Sequence, residues 1–218
     1  MNKRKTPRVL IIAGSDSSGG AGIQADIKTL TVFKVFSMTA ITAITAQNTN
    51  GVSCVETVSL DLIKKQIEDC ISDIGVDAIK IGMVNKGEIF NLIFESLNKF
   101  KIIKKGIPII LDPVMFAKGG FPLLENQAIS ALKEFINKVD CILTPNIPEA
   151  ETLSGIKIAN KNDMIKINFL NFIQKKLTQA ILMAQVVPFH QQLQQIYQKG
   201  FLYMNRFQLH ISTFTNLS

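Results

Sequence analysis

The chain opens with a short apolar run, Arg8–Ala13 (RVLIIA), that stops at Gly14. Such a run bounded by glycine reads as a buried strand. Ile23, Ile27, Leu30 and Val32 then recur near helical spacing and predict a helix over Ala21–Phe33. Met38–Ala46 is β-rich and alternates in part, and Ser53–Leu60 reads as a second short strand. Asp61–Ile74 follows as a helix with Asp61 as its N-cap. Beyond it come a short buried strand at Ala78–Ile81, an amphipathic helix over Lys86–Phe100, and a strand at Ile107–Leu111 that ends on Asp112. Asn126–Val139 reads as a helix, and Asp140–Leu143 as a strand ending at Thr144-Pro145. Strands alternating with helices predict an α/β fold, a mainly parallel central sheet flanked by helices. Ligands bind such sheets beyond the carboxyl ends of the strands. The polar and Gly-rich segments of this chain fall at those ends.

Composition adds a division of the chain into two parts. Residues 1–155 carry 17 Lys/Arg and 16 Asp/Glu, whereas residues 156–218 carry 7 basic residues and one acid, Asp163. The formal net charge of +7 therefore belongs to the tail, and the nearly neutral body suits a small-molecule enzyme rather than a nucleic-acid binder. Twelve of the 13 glycines precede residue 156, and eight glutamines fall between Gln174 and Gln198. The expected organisation is a folded α/β domain over 1–155 and an aberrant, basic, Gln-rich, poorly ordered tail over 156–218. No apolar run approaches the roughly 18 residues of a membrane span. The apolar stretch near the N-terminus is too short for a signal peptide, which predicts a cytoplasmic protein without membrane contact. Cys54, Cys70 and Cys141 show no metal spacing; Cys70 and Cys141 read as buried free thiols.

Four segments carry candidate chemistry. GSDSSGGAGIQAD (Gly14–Asp26) joins the first strand to the first helix, and its glycines let backbone approach a ligand closely. It is not a P-loop, because no Lys follows the glycines. A dinucleotide fingerprint matches at Gly20, Gly22 and Ala25, but the acid expected about 20 residues later is absent, since no Asp or Glu lies between Asp26 and Glu56. TAQNTNGV (Thr45–Val52) places the Gln47 amide, both donor and acceptor, just after an apolar segment. A turn built on Asn48, Asn50 and Gly51 accommodates the same residues. KIGMV puts Met83 at a strand end, where it suits either core or a pocket wall. LDPVMFAKGG and TPNIPEAE place Asp112 and Glu149 after two successive strands. Each acid alone suits a cap; together on one sheet edge they suit Mg²⁺, which takes oxygen ligands.

In order and spacing, AGSDSSGGAGIQAD, ITAQNT, SDIGVDAIKIGM, LDPVM-AK-G and TPNIPEAE resemble the hydroxymethylpyrimidine and phosphomethylpyrimidine kinases of thiamine biosynthesis, in the ribokinase-like superfamily. The resemblance covers residues 8 to about 166. It implies ATP-dependent phosphorylation of 4-amino-5-hydroxymethyl-2-methylpyrimidine and then of its monophosphate, with ATP and Mg²⁺, in a homodimer. Gln47 would hydrogen-bond the aminopyrimidine, and Gly14, Asp16, Met83 and Val114 would line its pocket. Asp112, Lys118, Asn146 and Glu149 would serve the ATP and phosphate region, with Asp112 and Glu149 on Mg²⁺. Pyridoxal kinases share the superfamily, but the DSSGGAGIQAD and AQNT segments look like the pyrimidine enzyme.

The family's HGTGC segment, whose backbone N–H groups cradle the transferring phosphate, is not in this chain, so no catalytic residue is identifiable and the fold is expected to be incomplete on its C-terminal side. A shifted reading frame restores the segment. Taking the last base of each codon with the first two of the next, residues 176–200 can spell IDTSNTHGTGCTFSSAIATNLSKG. The single codon of Met183 followed by the GC of Ala184 forces the central glycine. A frameshift after about residue 166, with a deletion, is the expectation. Two alternatives follow: a catalytically inactive remnant or, on the basic tail alone, an interaction module. His190 and His210 sit in no motif.

Overall fold

The structure is a computed structural model and describes residues 6–117, 121–125, 127–160 and 162–163. Six strands form one sheet in the order β3-β2-β1-β4-β5-β6. They are β1 (Arg8–Asp16), β2 (Phe36–Asn48), β3 (Gly51–Thr57), β4 (Ala78–Ile81), β5 (Ile109–Leu111) and β6 (Ile142–Leu143). The helices are α1 (Gly22–Val32), α2 (Leu60–Asp69), α3 (Gly87–Lys99), α4 (Ala128–Lys138) and α5 (Ile147–Ser154). Every pairing is parallel except β2 with β3, which is antiparallel.

Side-chain alternation sorts β1 into two faces. Leu10 and Ile12 join Ile79, Ile81, Ile109 and Leu111 in the core, packed beneath Ile63 and Ile67 of α2, Ile93 and Leu97 of α3, and Leu132 and Phe135 of α4. Val9, Ile11 and Ala13 take the opposite face, where α1 contacts the strand and buries Ile23. On that face Lys80 of β4 pairs with Asp26 of α1 at 2.6 Å, tying the helix to the sheet.

Several boundaries differ from the periodicity reading, each for a local reason. Ser59, not Asp61, caps α2: its extended backbone precedes the helix and its hydroxyl accepts from the Leu62 N–H at 3.4 Å. Asp61 lies inside the first turn and pairs with Lys65 at 2.8 Å. The helix passes at Asp69 into a π-helical turn, Cys70–Ile74. β5 starts after Pro108, which has no N–H to donate to a ladder but accepts from the Ile79 N–H. The Ser53–Leu60 strand is β3, ending at Thr57; it returns from β2 through a turn in which Asn48 Oδ1 accepts from the Asn50 and Gly51 N–H groups. Cys70 and Cys141 are free but half-buried, and Cys141 precedes β6 rather than lying in it. Burial, with the neighbouring Asp140 charge, pushes the Cys141 thiol up to about 12. Lys118 and the tail from residue 164 lie outside the described residues, as does the shifted-frame segment 176–200.

Candidate functional site

Along the carboxyl edge of the sheet, the loop after β1 is organised by one carboxylate. Asp16 is 3% exposed and accepts from the N–H groups of Ser18, Gly20 and Ala21 at 2.8–3.0 Å, and from the Ser18 hydroxyl. Burial alone would raise its carboxyl; the bonds from Ser18, Ala21 and Gly20 outweigh it and hold the group below the ordinary carboxylate range. Asp16 therefore builds the loop and the entry to α1. Gln24, in the first turn of α1, clamps the strand end from the other side: its Oε1 accepts from the Asp16 N–H at 2.8 Å and its Nε2 donates to Ser15 Oγ at 2.7 Å.

Two glycines are dictated by close approach. A Cβ at Gly14 would lie 2.7 Å from Met83 Sδ, so strand β1 and the β4 loop meet with no room for a methyl group. Gly22 takes φ +57° with its Cα hydrogen facing the Gly14 carbonyl, which only glycine tolerates. Met83 is 8% exposed, and its carbonyl accepts from the buried Thr42 hydroxyl at 2.7 Å. Thr42 reaches inward because β2 bulges against β1: Ala13 pairs with Ile41 and Ser15 with Ile44, so Thr42 and Ala43 are both buried.

Gln47 is placed by a second irregularity. Ala46 pairs with Cys54 of β3 but Gln47 pairs with Val52, leaving Ser53 as the extra residue. The Gln47 backbone is held on both sides by one hydroxyl, Ser17 Oγ, which donates to its carbonyl and accepts from its N–H, each at 2.8 Å. Gly14, Asp16, Gln47 and Met83 thus share one region spanning the ends of β2, β1 and β4.

The second cluster stands at the ends of β5 and β6. Asn146 caps α5 in a reciprocal box: its Oδ1 accepts from the Glu149 N–H at 2.9 Å, and Glu149 Oε2 accepts from the Asn146 N–H at 2.8 Å. Glu149 Oε1 accepts from the Met115 N–H at 3.4 Å, which ties α5 to the loop after β5. Burial is the largest influence on this carboxyl, and the nearby Asp112 charge adds to it. Together they hold Glu149 above the ordinary range despite the bonds from Asn146 and Met115. Asp112 is half-buried directly after β5, and Val114 follows, its N–H donating to the Asp112 carbonyl. No group of three or more metal-ligating side chains occurs among the described residues. A cavity of about 820 Å³ lined by Glu56, Thr57, Asn85, Lys86, Phe121 and Glu125, among others, includes none of these site residues.

The periodicity and motifs pointed to the strand-end residues but not to the polar scaffold behind them: Thr42, Thr45 and Gln24 were missed. Their signal is a polar residue at a buried phase of an apolar strand (Thr42, Thr45) and a Gln in the first turn of a helix after a Gly-rich loop (Gln24).

A mostly parallel sheet with one antiparallel strand at its edge, a Gly-rich loop after the first strand and acids beyond the last two strands define a ribokinase-like α/β domain. Solved structures agree: phosphomethylpyrimidine kinase of Clostridium difficile is 46% identical with a TM-score of 0.68, covering 78% of this chain and 71% of that one. A Staphylococcus aureus pyridoxal kinase solved with pyridoxal is 34% identical with a TM-score of 0.63, covering 75% and 59%. The phosphomethylpyrimidine kinase family model matches residues 16–208, and the chain belongs to that family. Its curated relatives include hydroxymethylpyrimidine/phosphomethylpyrimidine kinases of Haemophilus influenzae, 48% identical over 153 residues, and Bacillus subtilis, 43% identical over 159 residues. Those alignments cover 70% and 73% of this chain but 55% and 57% of the relatives, so the chain spans about half the length of the curated relatives it matches.

Proposed function

We propose that this chain descends from, and retains the pyrimidine side of, an ATP-dependent cytosolic kinase that phosphorylates 4-amino-5-hydroxymethyl-2-methylpyrimidine and its monophosphate. The supporting observation is the joint placement of Gln47, Gly14 and Met83 at neighbouring strand ends: a glutamine whose backbone Ser17 holds, and a glycine–methionine contact between β1 and the loop after β4. An amide edge suits the nitrogen edge of a heterocycle, and a thioether suits its face. The ring would lie against Met83, with Val114 closing the side toward the phosphate region. In this reading Asp16 acts through the loop it organises.

The residues present fit a magnesium ion in part. Magnesium takes one or two carboxylates and keeps several waters. Asp112 supplies one such group, and Glu149, with each oxygen already accepting one backbone N–H, retains lone pairs for a water-mediated contact. Bound there, the ion would neutralise charge on the ATP phosphates, while Asn146 and Lys118 would orient them.

A second reading, the inactive remnant, is favoured by one observation. HGTGC is missing from these 218 residues, yet the shifted frame of residues 176–200 can spell it together with its flanking strand and helix. That helix start is the element that would present backbone N–H groups to the charge developing on the transferring phosphoryl oxygens. An assay of ATP-dependent phosphorylation separates the two. Turnover at about 1–10³ s⁻¹ supports the working kinase; pyrimidine binding without turnover supports the remnant. The DNA sequence across codons 160–200 tests the frameshift: codons 182–187 that cannot yield HGTGC in the shifted frame refute it.

A further inference from the structure

The Thr45 hydroxyl carries one hydrogen and has two claimants. Its Oγ1 lies 2.9 Å from the Ser15 carbonyl oxygen and 3.4 Å from the Gln47 carboxamide, at Oε1. A carbonyl only accepts, so the shorter contact takes the hydrogen, and Thr45 Oγ1 faces Gln47 with lone pairs alone. The two ends of a carboxamide have the same shape and are told apart by their hydrogen-bond partners. With Oε1 toward Thr45, two acceptors would oppose one another. With Nε2 there, an amide N–H meets a lone pair. Thr45 is 4% exposed, so water does not compete for its hydroxyl, and Ser17 fixes the backbone from which the Gln47 side chain starts, at both its N–H and its carbonyl.

We infer that Thr45 fixes the sense of the Gln47 carboxamide and thereby the ring that the site accepts. This rests on the proposed role of Gln47 in pyrimidine binding. The relay runs Gln47 Nε2–H to Thr45 Oγ1, then Thr45 O–H to the Ser15 carbonyl at the end of β1. Gln47 then offers the pocket an acceptor, Oε1, and the second N–H of Nε2. That pair complements an exocyclic amine next to an unprotonated ring nitrogen. It opposes the reversed pattern of a carbonyl next to a ring N–H. Thr45 is a positioning residue that makes the site select aminopyrimidines over oxopyrimidines.

The test uses the full chain and two readouts. Calorimetric titration compares 4-amino-5-hydroxymethyl-2-methylpyrimidine with its 4-oxo counterpart. Wild type is expected to prefer the amine by about 10- to 100-fold, since each mispaired polar contact costs a factor of that order. Thr45→Ser keeps the preference. Thr45→Val, which has the shape of Thr but no relay, reduces it to within about threefold while still binding the amine. The second readout needs no ligand: nuclear Overhauser contacts from the Gln47 carboxamide protons to the Thr45 side chain are expected in wild type and Thr45→Ser. Their absence in folded wild type overturns the inference, as does an undiminished preference in Thr45→Val or a wild-type preference for the oxo ring. If those contacts are present and neither pyrimidine binds, the carboxamide orientation stands, the selectivity inference is overturned, and the failed premise is the pyrimidine-binding reading.

Discussion

Asp112 directly follows β5 and Glu149 lies in the first turn of α5, beyond the adjacent β6; the charge of the first adds to burial in keeping the second above the ordinary carboxylate range. The two acids that motif spacing placed on one sheet edge therefore interact electrostatically, while Glu149 also closes a capping box with Asn146.

The sign of that interaction sets a pH dependence. A carboxyl raised in the folded state contributes stability that is present below its unfolded value, near 4.5, and lost as pH rises through the folded value. Glu149→Gln removes the titration and one capping acceptor. It is expected to destabilise by about 1 kcal/mol near pH 4, with a smaller cost at pH 7. Urea melts of both proteins across that range test this; a cost that grows with pH contradicts it.

Asp16 has the opposite sign. Its depressed carboxyl contributes stability present above about 3.8 and lost as pH falls through the folded value. Asp16→Asn sets an amide N–H₂ against the Gly20 and Ala21 donors and is expected to cost about 2–4 kcal/mol. At this chain length the thermal midpoint should fall by roughly 5–15 °C. An unchanged melt would mean that the loop does not depend on this carboxylate.

Gly14→Ala places a methyl group on Met83 Sδ. The expected cost is about 1–3 kcal/mol of overpacking, with Met83 displaced into the space assigned to the ring. Met83→Ala should relieve it. A double-mutant cycle by chemical denaturation should give a coupling of at least 0.5 kcal/mol, and strict additivity would place the two residues out of contact.

Much of this fold was legible because its signals are local. Short apolar runs gave the parallel strands, and each strand-end motif landed on the carboxyl edge. What stayed hidden depends on pairing between segments distant in sequence. The bulge that buries both Thr42 and Ala43 arises from the register of β2 against β1, which no single-segment periodicity contains. The Ser17 clamp on Gln47 joins residues 30 apart in sequence. The resemblance implies Asp16 as a pocket residue; only the folded loop shows that its oxygens also accept from Ser18, Gly20 and Ala21. Asp61 looked like a cap because helix starts favour acids, but Ser59 was already in position.

Calorimetric titration of the full chain with 4-amino-5-hydroxymethyl-2-methylpyrimidine, wild type beside Gln47→Ala, bears most directly on the pyrimidine site. Saturable binding that weakens about tenfold or more in Gln47→Ala, with both proteins equally folded by circular dichroism, is the predicted result, since an unmatched polar edge costs at least that factor. Binding of equal strength in the two proteins, or none in folded wild type, would contradict a pyrimidine pocket at the ends of β1, β2 and β4.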